Sequence, residues 1–149
     1  MSTTTDPAKP TTYAGDLTPA QAWELLEGDE RAVLVDVRTA AEWRYVGVPD
    51  VGSLGRAPAL VEWIGYPSGA QNPRFLDQLA AAGLAAGDGR PVVFLCRSGV
   101  RSIAAAQAAT AAGLGPAYNV LEGFEGGVDR AGHRGATGWR AAGLPWSQA

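Results

Sequence analysis

The sequence predicts an α/β domain with a mainly parallel central sheet flanked by helices. Three observations carry that prediction. Two short apolar runs rich in β-branched residues, Ala32-Val33-Leu34-Val35-Asp36-Val37 and Pro91-Val92-Val93-Phe94-Leu95-Cys96, have the length and apolarity of buried strands. Helix start and stop signals lie between such runs, so strands alternate with helices. With 149 residues, 46% hydrophobic and 18% charged, the chain can bury one substantial core and is too short for two ordinary domains.

Each element follows from local signals. Residues 1–16, rich in Thr, Pro and Ala, read as a flexible N-terminal tail ahead of a single domain over 17–149. Thr18-Pro19 opens a helix, with Thr as N-cap and Pro at the first helical position; Ala22, Leu25 and Leu26 give it one buried face, and it stops near Gly28. The run at 32–37 is the next strand, ending in the polar residues Asp36 and Arg38. Thr39-Ala40-Ala41-Glu42 is a capping box, which predicts a short helix carrying Trp43. Residues 44–72 form a long connection punctuated by Gly and Pro, with a further strand expected around Leu60 to Ile64. Asn72-Pro73 starts a helix through Phe75, Leu76 and Leu79 that ends at Gly83, and Asp88-Gly89 turns the chain into the strand at 91–96. An alanine-rich helix from about Arg101 to Ala112 is followed by a last strand at Tyr118-Asn119-Val120-Leu121 and a glycine-rich stretch from Gly123 to Gly138.

Composition restricts what the domain can do. A net charge of -3 with no run of Lys and Arg argues against nucleic acid as a partner. One cysteine cannot form an internal disulfide, and one Cys with one His is a poor start for a metal site, so no metal is expected and a reducing, cytoplasmic setting fits best. No signal-peptide h-region and no run of about 18 apolar residues is present, which predicts no membrane association.

The single cysteine, Cys96, stands where an apolar run meets the loop Arg97-Ser98-Gly99-Val100-Arg101-Ser102. A thiol delivered by a strand end into a turn that feeds a helix meets backbone N–H groups and cationic side chains, and both favour thiolate over thiol. Gly99 can take positive φ so that successive amides point inward, and Ser102 can cap the following helix. In parallel sheets, sites gather beyond the carboxyl ends of the strands, where Cys96 and the pair Asp36 and Arg38 both lie.

These residues resemble a single-domain rhodanese, of the sulfurtransferase family, over roughly Leu17 to Trp146. The strongest likeness is Cys96-Arg97-Ser98-Gly99-Val100-Arg101, which matches the family's active-site pattern of Cys, usually Arg, any residue, Gly, any residue, Arg or Thr. Leu34-Val35-Asp36-Val37-Arg38 with Glu42-Trp43 is similar to the N-terminal signature, and Gly138-Trp139 with Gly143-Leu144-Pro145 is a weaker C-terminal match. The resemblance implies a sulfur relay in which Cys96 takes sulfane sulfur from thiosulfate or a persulfide and passes it to cyanide or a thiol, with no organic cofactor. Residues 97–101 would bind the donor, Arg97 and Arg101 through its anionic oxygens. The chain departs from the family where a His-Ile-Pro-Gly-Ala stretch is usual, reading Val46-Gly47-Val48-Pro49-Asp50 instead, and an insertion at 128–138 separates Gly126-Gly127 from Trp139.

Several residues admit a structural reading beside a functional one. Asp36 and Arg38 could support catalysis or simply bond to loop backbone at a strand end. His133, in the insertion, is by default an exposed loop residue. Trp23, Trp43, Trp63, Trp139 and Trp146 read as core and rim packing, and the segment from Tyr66 to Asn72 could border the site's mouth. Two other functions remain open: a persulfide carrier or sensing module that docks a protein donor or acceptor, and a cysteine-dependent phosphatase or arsenate reductase. Phosphatases of this kind place five residues between Cys and Arg, against four between Cys96 and Arg101.

Overall fold

Thr18 begins the first helix as its sequence requires: its side chain accepts from the Gln21 backbone N–H while the Gln21 side chain accepts from the Thr18 N–H, closing a capping box ahead of α1 (Pro19–Gly28). The structure, a computed structural model, describes residues 13–65, 69–127, 130–133, 135 and 137–147. Around α1 the elements run β1 (Gly15–Leu17), β2 (Val33–Asp36), α2 (Ala40–Tyr45), β3 (Val48–Pro49), a 3-10 turn (Gly52–Leu54), β4 (Ala59–Leu60), α3 (Phe75–Ala81), β5 (Val92–Leu95), α4 (Arg101–Ala111), β6 (Ala117–Val120) and β7 (Trp146–Ser147).

The main sheet has the order β1-β6-β5-β2-β4 with every neighbouring pair parallel, as the alternating pattern predicts. β5 lies at its centre, all four of its residues buried, so the strand that delivers Cys96 is screened from solvent on both faces. Strand parity divides the core in two. Val35, Val37, Val92, Phe94 and Cys96 face α3 and α4, packing on Phe75, Leu79, Ala105, Ala106 and Ala109. Leu34, Val93, Leu95 and Val120 face the other way, onto Ala22, Leu26, Phe124 and Trp139. The alanines of α4 keep its backbone near the sheet, which places the start of the helix beside the end of β5.

Three expectations are corrected, and one pairing is added. Gly15 and Asp16, read as the end of a tail over 1–16, instead belong to β1 and pair with Tyr118 and Asn119 of β6; a three-residue edge strand containing Gly and Asp carries almost no local strand signal. Residues 1–12 lie outside the described residues. The strand expected around Leu60 to Ile64 is only Ala59–Leu60, with Ile64 making an isolated antiparallel bridge to Gln71. Asn72 does not cap α3 directly: Arg74 is the N-cap residue, and the Asn72 carboxamide accepts from the Arg74 N–H just outside the helix. β3 and β7 form a separate antiparallel pair that no local pattern announces, closing the C-terminal segment over Gly47. Of the tryptophans, Trp139 is fully buried edge-on to Trp23 and Trp63 stacks edge-on to Phe75, while Trp146 remains 41% exposed at the rim.

Candidate active site

β5 ends at Leu95, and Cys96 begins a five-residue loop that closes at Arg101, the first residue of α4. Gly99 turns the chain back with φ +95°, a conformation open to glycine at little cost, and its N–H points at Cys96 Sγ at 3.1 Å. Ser102 Oγ lies 3.2 Å from the same sulfur. This replaces the expected helix cap: Val100 is the N-cap residue, no side chain caps the helix, and Ser102 is turned inward, fully buried. Among the described residues the sulfur therefore meets one amide and one hydroxyl, rather than a ring of amides from residues 97–101. Cys96 itself is 1% exposed.

The loop rests on the turn that follows β6. Phe124 N–H donates to Cys96 O at 2.8 Å and Glu125 N–H to Arg97 O at 2.9 Å. This approach demands a glycine at 123, where φ is +61° and a Cβ would stand 2.4 Å from Cys96 O. The sequence places Gly123 in a glycine-rich stretch, but nothing local says which glycine supports the cysteine.

The two loop arginines play different parts. Arg101 forks onto Glu42 of α2, with Nη1 to Oε1 at 2.8 Å and Nη2 to Oε2 at 3.0 Å. Glu42 is itself fixed by the capping box, accepting from the Thr39 N–H at 3.0 Å. Burial pushes the Glu42 carboxyl up, but the hydrogen bonds from Arg101 and Thr39 and the charge of Arg101 outweigh it and hold the pKa below the ordinary glutamate value. Burial likewise works against the charge on Arg101, and the Glu42 carboxylate, with smaller contributions from Cys96 and Asp36, raises its pKa despite that. Arg97 is exposed and has no side-chain partner among the described residues. Both guanidinium groups border an open cleft of about 550 Å³ whose other walls are Thr39, Ala41, Glu42, Tyr45, Val46, Ile64, Gly65 and Gly69. Tyr66, Pro67 and Ser68 of the predicted mouth segment lie outside the described residues.

A depressed carboxylate pKa makes the pair a pH-dependent clamp. The stability contributed by Glu42 is complete above its unfolded pKa of about 4.3 and is lost as the pH falls through the lower folded value. Glu42→Gln should therefore flatten the acid side of the stability curve, with the two proteins converging as the pH drops below about 4. Urea unfolding between roughly pH 3 and pH 7 reads this directly; equal pH slopes in both proteins would dismiss the clamp.

Asp36 and Arg38 lie on the opposite face of the sheet from Cys96. They form a fully buried ion pair, Arg38 Nη2 to Asp36 Oδ2 at 2.7 Å and Nε to Oδ1 at 3.0 Å, and Arg38 Nη2 also donates to Gly47 O at 2.7 Å. The guanidinium stacks 4.2 Å from the centre of the Phe124 ring. These contacts are of the kind that the structural reading of the pair describes. His133 is exposed in the short described stretch 130–133, and Val128, Asp129, Arg134 and Ala136 of the insertion lie outside the described residues.

Two residues that the sequence reading did not assign to the site are brought to it. Glu42, noticed as a cap, is the partner of Arg101. Asn119 of β6, fully buried, accepts from Ser102 Oγ through its Oδ1. A polar residue in an otherwise apolar strand was the available signal for Asn119.

The chain is similar to several known proteins. A family model described as the STR4 middle domain matches residues 15–149. The crystal structure of Rv0390 from M. tuberculosis is 61% identical, covering 93% of this chain and all of that one, with a TM-score of 0.84. An uncharacterized protein of Rickettsia conorii, RC0915, is 33% identical over 130 residues, which is 85% of this chain and 91% of that protein. The thiosulfate sulfurtransferase GlpE of Actinobacillus pleuropneumoniae is 28% identical over 130 residues, 87% of this chain and 90% of that enzyme. With its parallel sheet and a cysteine loop leading into α4, the chain belongs to the rhodanese-like sulfurtransferase family, in the group described by the STR4 middle domain.

Proposed function

We propose that this single domain is a sulfurtransferase that carries sulfane sulfur as a persulfide on Cys96, taking it from thiosulfate or a persulfide and giving it to cyanide or a thiol. The observation that carries the reading is the pair of hydrogen-bonding groups on Cys96 Sγ, the Gly99 N–H at 3.1 Å and the Ser102 hydroxyl at 3.2 Å. Both can donate to a sulfur anion, so negative charge is stabilised where sulfur exchange needs it. In the first half-reaction the Cys96 thiolate attacks the outer sulfur of thiosulfate; an S–S bond forms, and sulfite leaves with the electron pair of the bond that breaks. In the second, an acceptor thiolate or cyanide attacks the outer sulfur and Cys96 departs as thiolate. No net oxidant is required. No metal or organic cofactor is invoked, and a reducing cytoplasmic setting would keep the thiol available. Among the described residues no helix is long and apolar enough to cross a membrane.

Intact-mass spectrometry after exposure to thiosulfate tests the proposal. One added sulfur that a reductant removes is expected on the parent, and an unchanged mass with both thiosulfate and a small persulfide would sink it.

The engagement of Arg101 by Glu42 separates the roles of the loop arginines. Arg97 is the cation left to meet an anionic donor, so Arg97→Ala should lower kcat/KM for thiosulfate roughly tenfold or more while sparing an uncharged persulfide donor. Arg101→Ala should instead lower activity with both donors alike, because it releases Glu42 and with it α2. Steady-state kinetics with the two donors distinguishes these patterns; a donor-selective loss in Arg101→Ala would reverse the assignment. Val100 of the loop, 71% exposed, and Tyr45 at the cleft, 72% exposed, favour a second reading, a carrier that docks a protein donor or acceptor. Loading of Cys96 without turnover on small molecules would select it. Phosphate chemistry is disfavoured, since the arginine that would grip an oxyanion is already occupied by Glu42.

A further inference from the structure

Behind Cys96 a polar chain, buried at Ser102 and Asn119 and exposed at Asp16, runs across the sheet to the chain's first strand. Ser102 Oγ touches both Cys96 Sγ and Asn119 Oδ1; Asn119 Nδ2 donates to Asp16 Oδ1 at 3.0 Å, and Tyr13 OH donates to the same carboxylate oxygen at 2.8 Å. Asp16 and Asn119 are register partners in the β1–β6 pair. Ser102 and Asn119 are both fully buried, so each proton in the chain must be accounted for within it.

The orientation of the Asn119 amide follows from what each neighbour can do. A carboxylate only accepts, so the Asn119 NH₂ faces Asp16 and its oxygen faces Ser102. That oxygen also only accepts. The single Ser102 proton therefore goes to Asn119, and Ser102 turns a lone pair toward Cys96, where it suits a thiol S–H and not a thiolate. We propose that Asn119, held by Asp16, is a positioning residue that takes the Ser102 proton and thereby withholds the hydroxyl from the Cys96 sulfur until the hydroxyl turns. This rests on Cys96 being the reacting sulfur. When Cys96 gives its proton to a buffer base, the Ser102 O–H···Asn119 bond breaks and an O–H···S⁻ bond forms, leaving the Asn119 oxygen without its buried donor. That opposing cost is what Asn119 adds.

Removing the competitor should free the hydroxyl for the sulfur. Of the charged groups near Cys96, Arg97 of the loop, Arg101 of α4, Glu42 of α2 and the Asp36–Arg38 pair at the end of β2 are kept in every variant used; only Asp16→Ala removes a charge, that of an exposed carboxylate, and its comparison with and without Ser102 separates that charge from the hydroxyl's effect. Asn119→Ala should raise the rate of iodoacetamide alkylation of Cys96 at neutral pH by roughly tenfold, about the value of one hydrogen bond to a charged group. Asp16 is exposed, so Asp16→Ala offers a variant with little risk to folding; it lets the Asn119 amide turn over and should raise the rate in the same direction by a smaller factor. In a Ser102→Ala background neither change should alter the rate, because the effect passes through the hydroxyl. An increase that persists without Ser102 would mean that the variants merely loosen the site, and an unchanged or lower rate in both Asn119→Ala and Asp16→Ala would overturn the proposal. If Asn119→Ala does not fold, the Asp16→Ala comparison with and without Ser102 decides alone. Alkylation needs no sulfur donor, so this result stands apart from the mass test of persulfide formation.

Discussion

Cys96→Ser should fold with a melting temperature within about 5 °C of the parent and lose sulfur transfer by roughly a thousandfold or more, the scale on which removal of a nucleophile acts. The fold is expected to survive because serine is close to cysteine in volume and the Gly99 N–H that meets Sγ at 3.1 Å can donate to a hydroxyl oxygen instead. The Phe124 and Glu125 N–H groups grip the backbone carbonyls of Cys96 and Arg97, which the substitution leaves in place. Activity should vanish because an alcohol is scarcely ionised at neutral pH and cannot form an S–S bond. Calorimetry together with steady-state assay on thiosulfate reads both halves of this result. Transfer near the parent rate would remove Cys96 from the reaction, and a large drop in melting temperature would show the thiol to be structural.

Much of this site is legible in the sequence, and what is not has identifiable physical reasons. The strand, loop and helix around Cys96 are all local: an apolar run, a glycine able to take positive φ, and an alanine-rich helix, each announced within a few residues. The capping box at Thr39 likewise fixes α2 from sequence. What the site adds comes from contacts between distant segments. Glu42 reads as a cap and as part of the family's N-terminal signature, with no partner named, until the fold brings Arg101 to it, and Ser102 looks like a cap until the register of β6 places Asn119 behind it. β1 was hidden in a stretch whose composition suits a solvated tail, because a parallel edge strand draws its hydrogen bonds from its neighbour rather than from its own propensity. β3 and β7, two residues each and far apart in sequence, have no local signature at all.

The same distinction governs Asp36 and Arg38, where the position at a strand end is legible and the role is not. Asp36 accepts from the Arg38 backbone N–H at 3.0 Å as well as from its side chain, and Arg38 goes on to Gly47 O and the Phe124 ring, so one guanidinium joins the end of β2, the chain entering β3 and the turn under the cysteine loop. Both groups are fully buried; Arg38 Nη1 even lacks a hydrogen-bond partner among the described residues, so the pair is held by geometry rather than by surplus bonding. Removing one partner leaves an uncompensated charge in the core, which costs about 3–5 kcal/mol, whereas replacing both by apolar residues of similar volume is far milder. Arg38→Met should therefore lower the melting temperature by about 10 °C in a domain of this size, and Asp36→Leu combined with Arg38→Met should recover much of that loss. Neither substitution touches the sulfur, so folded Arg38→Met should still take up one sulfur at Cys96. Thermal unfolding of the single and double variants beside the mass test separates the readings. A stable Arg38→Met that cannot form the persulfide would transfer the pair from the scaffold to the reaction.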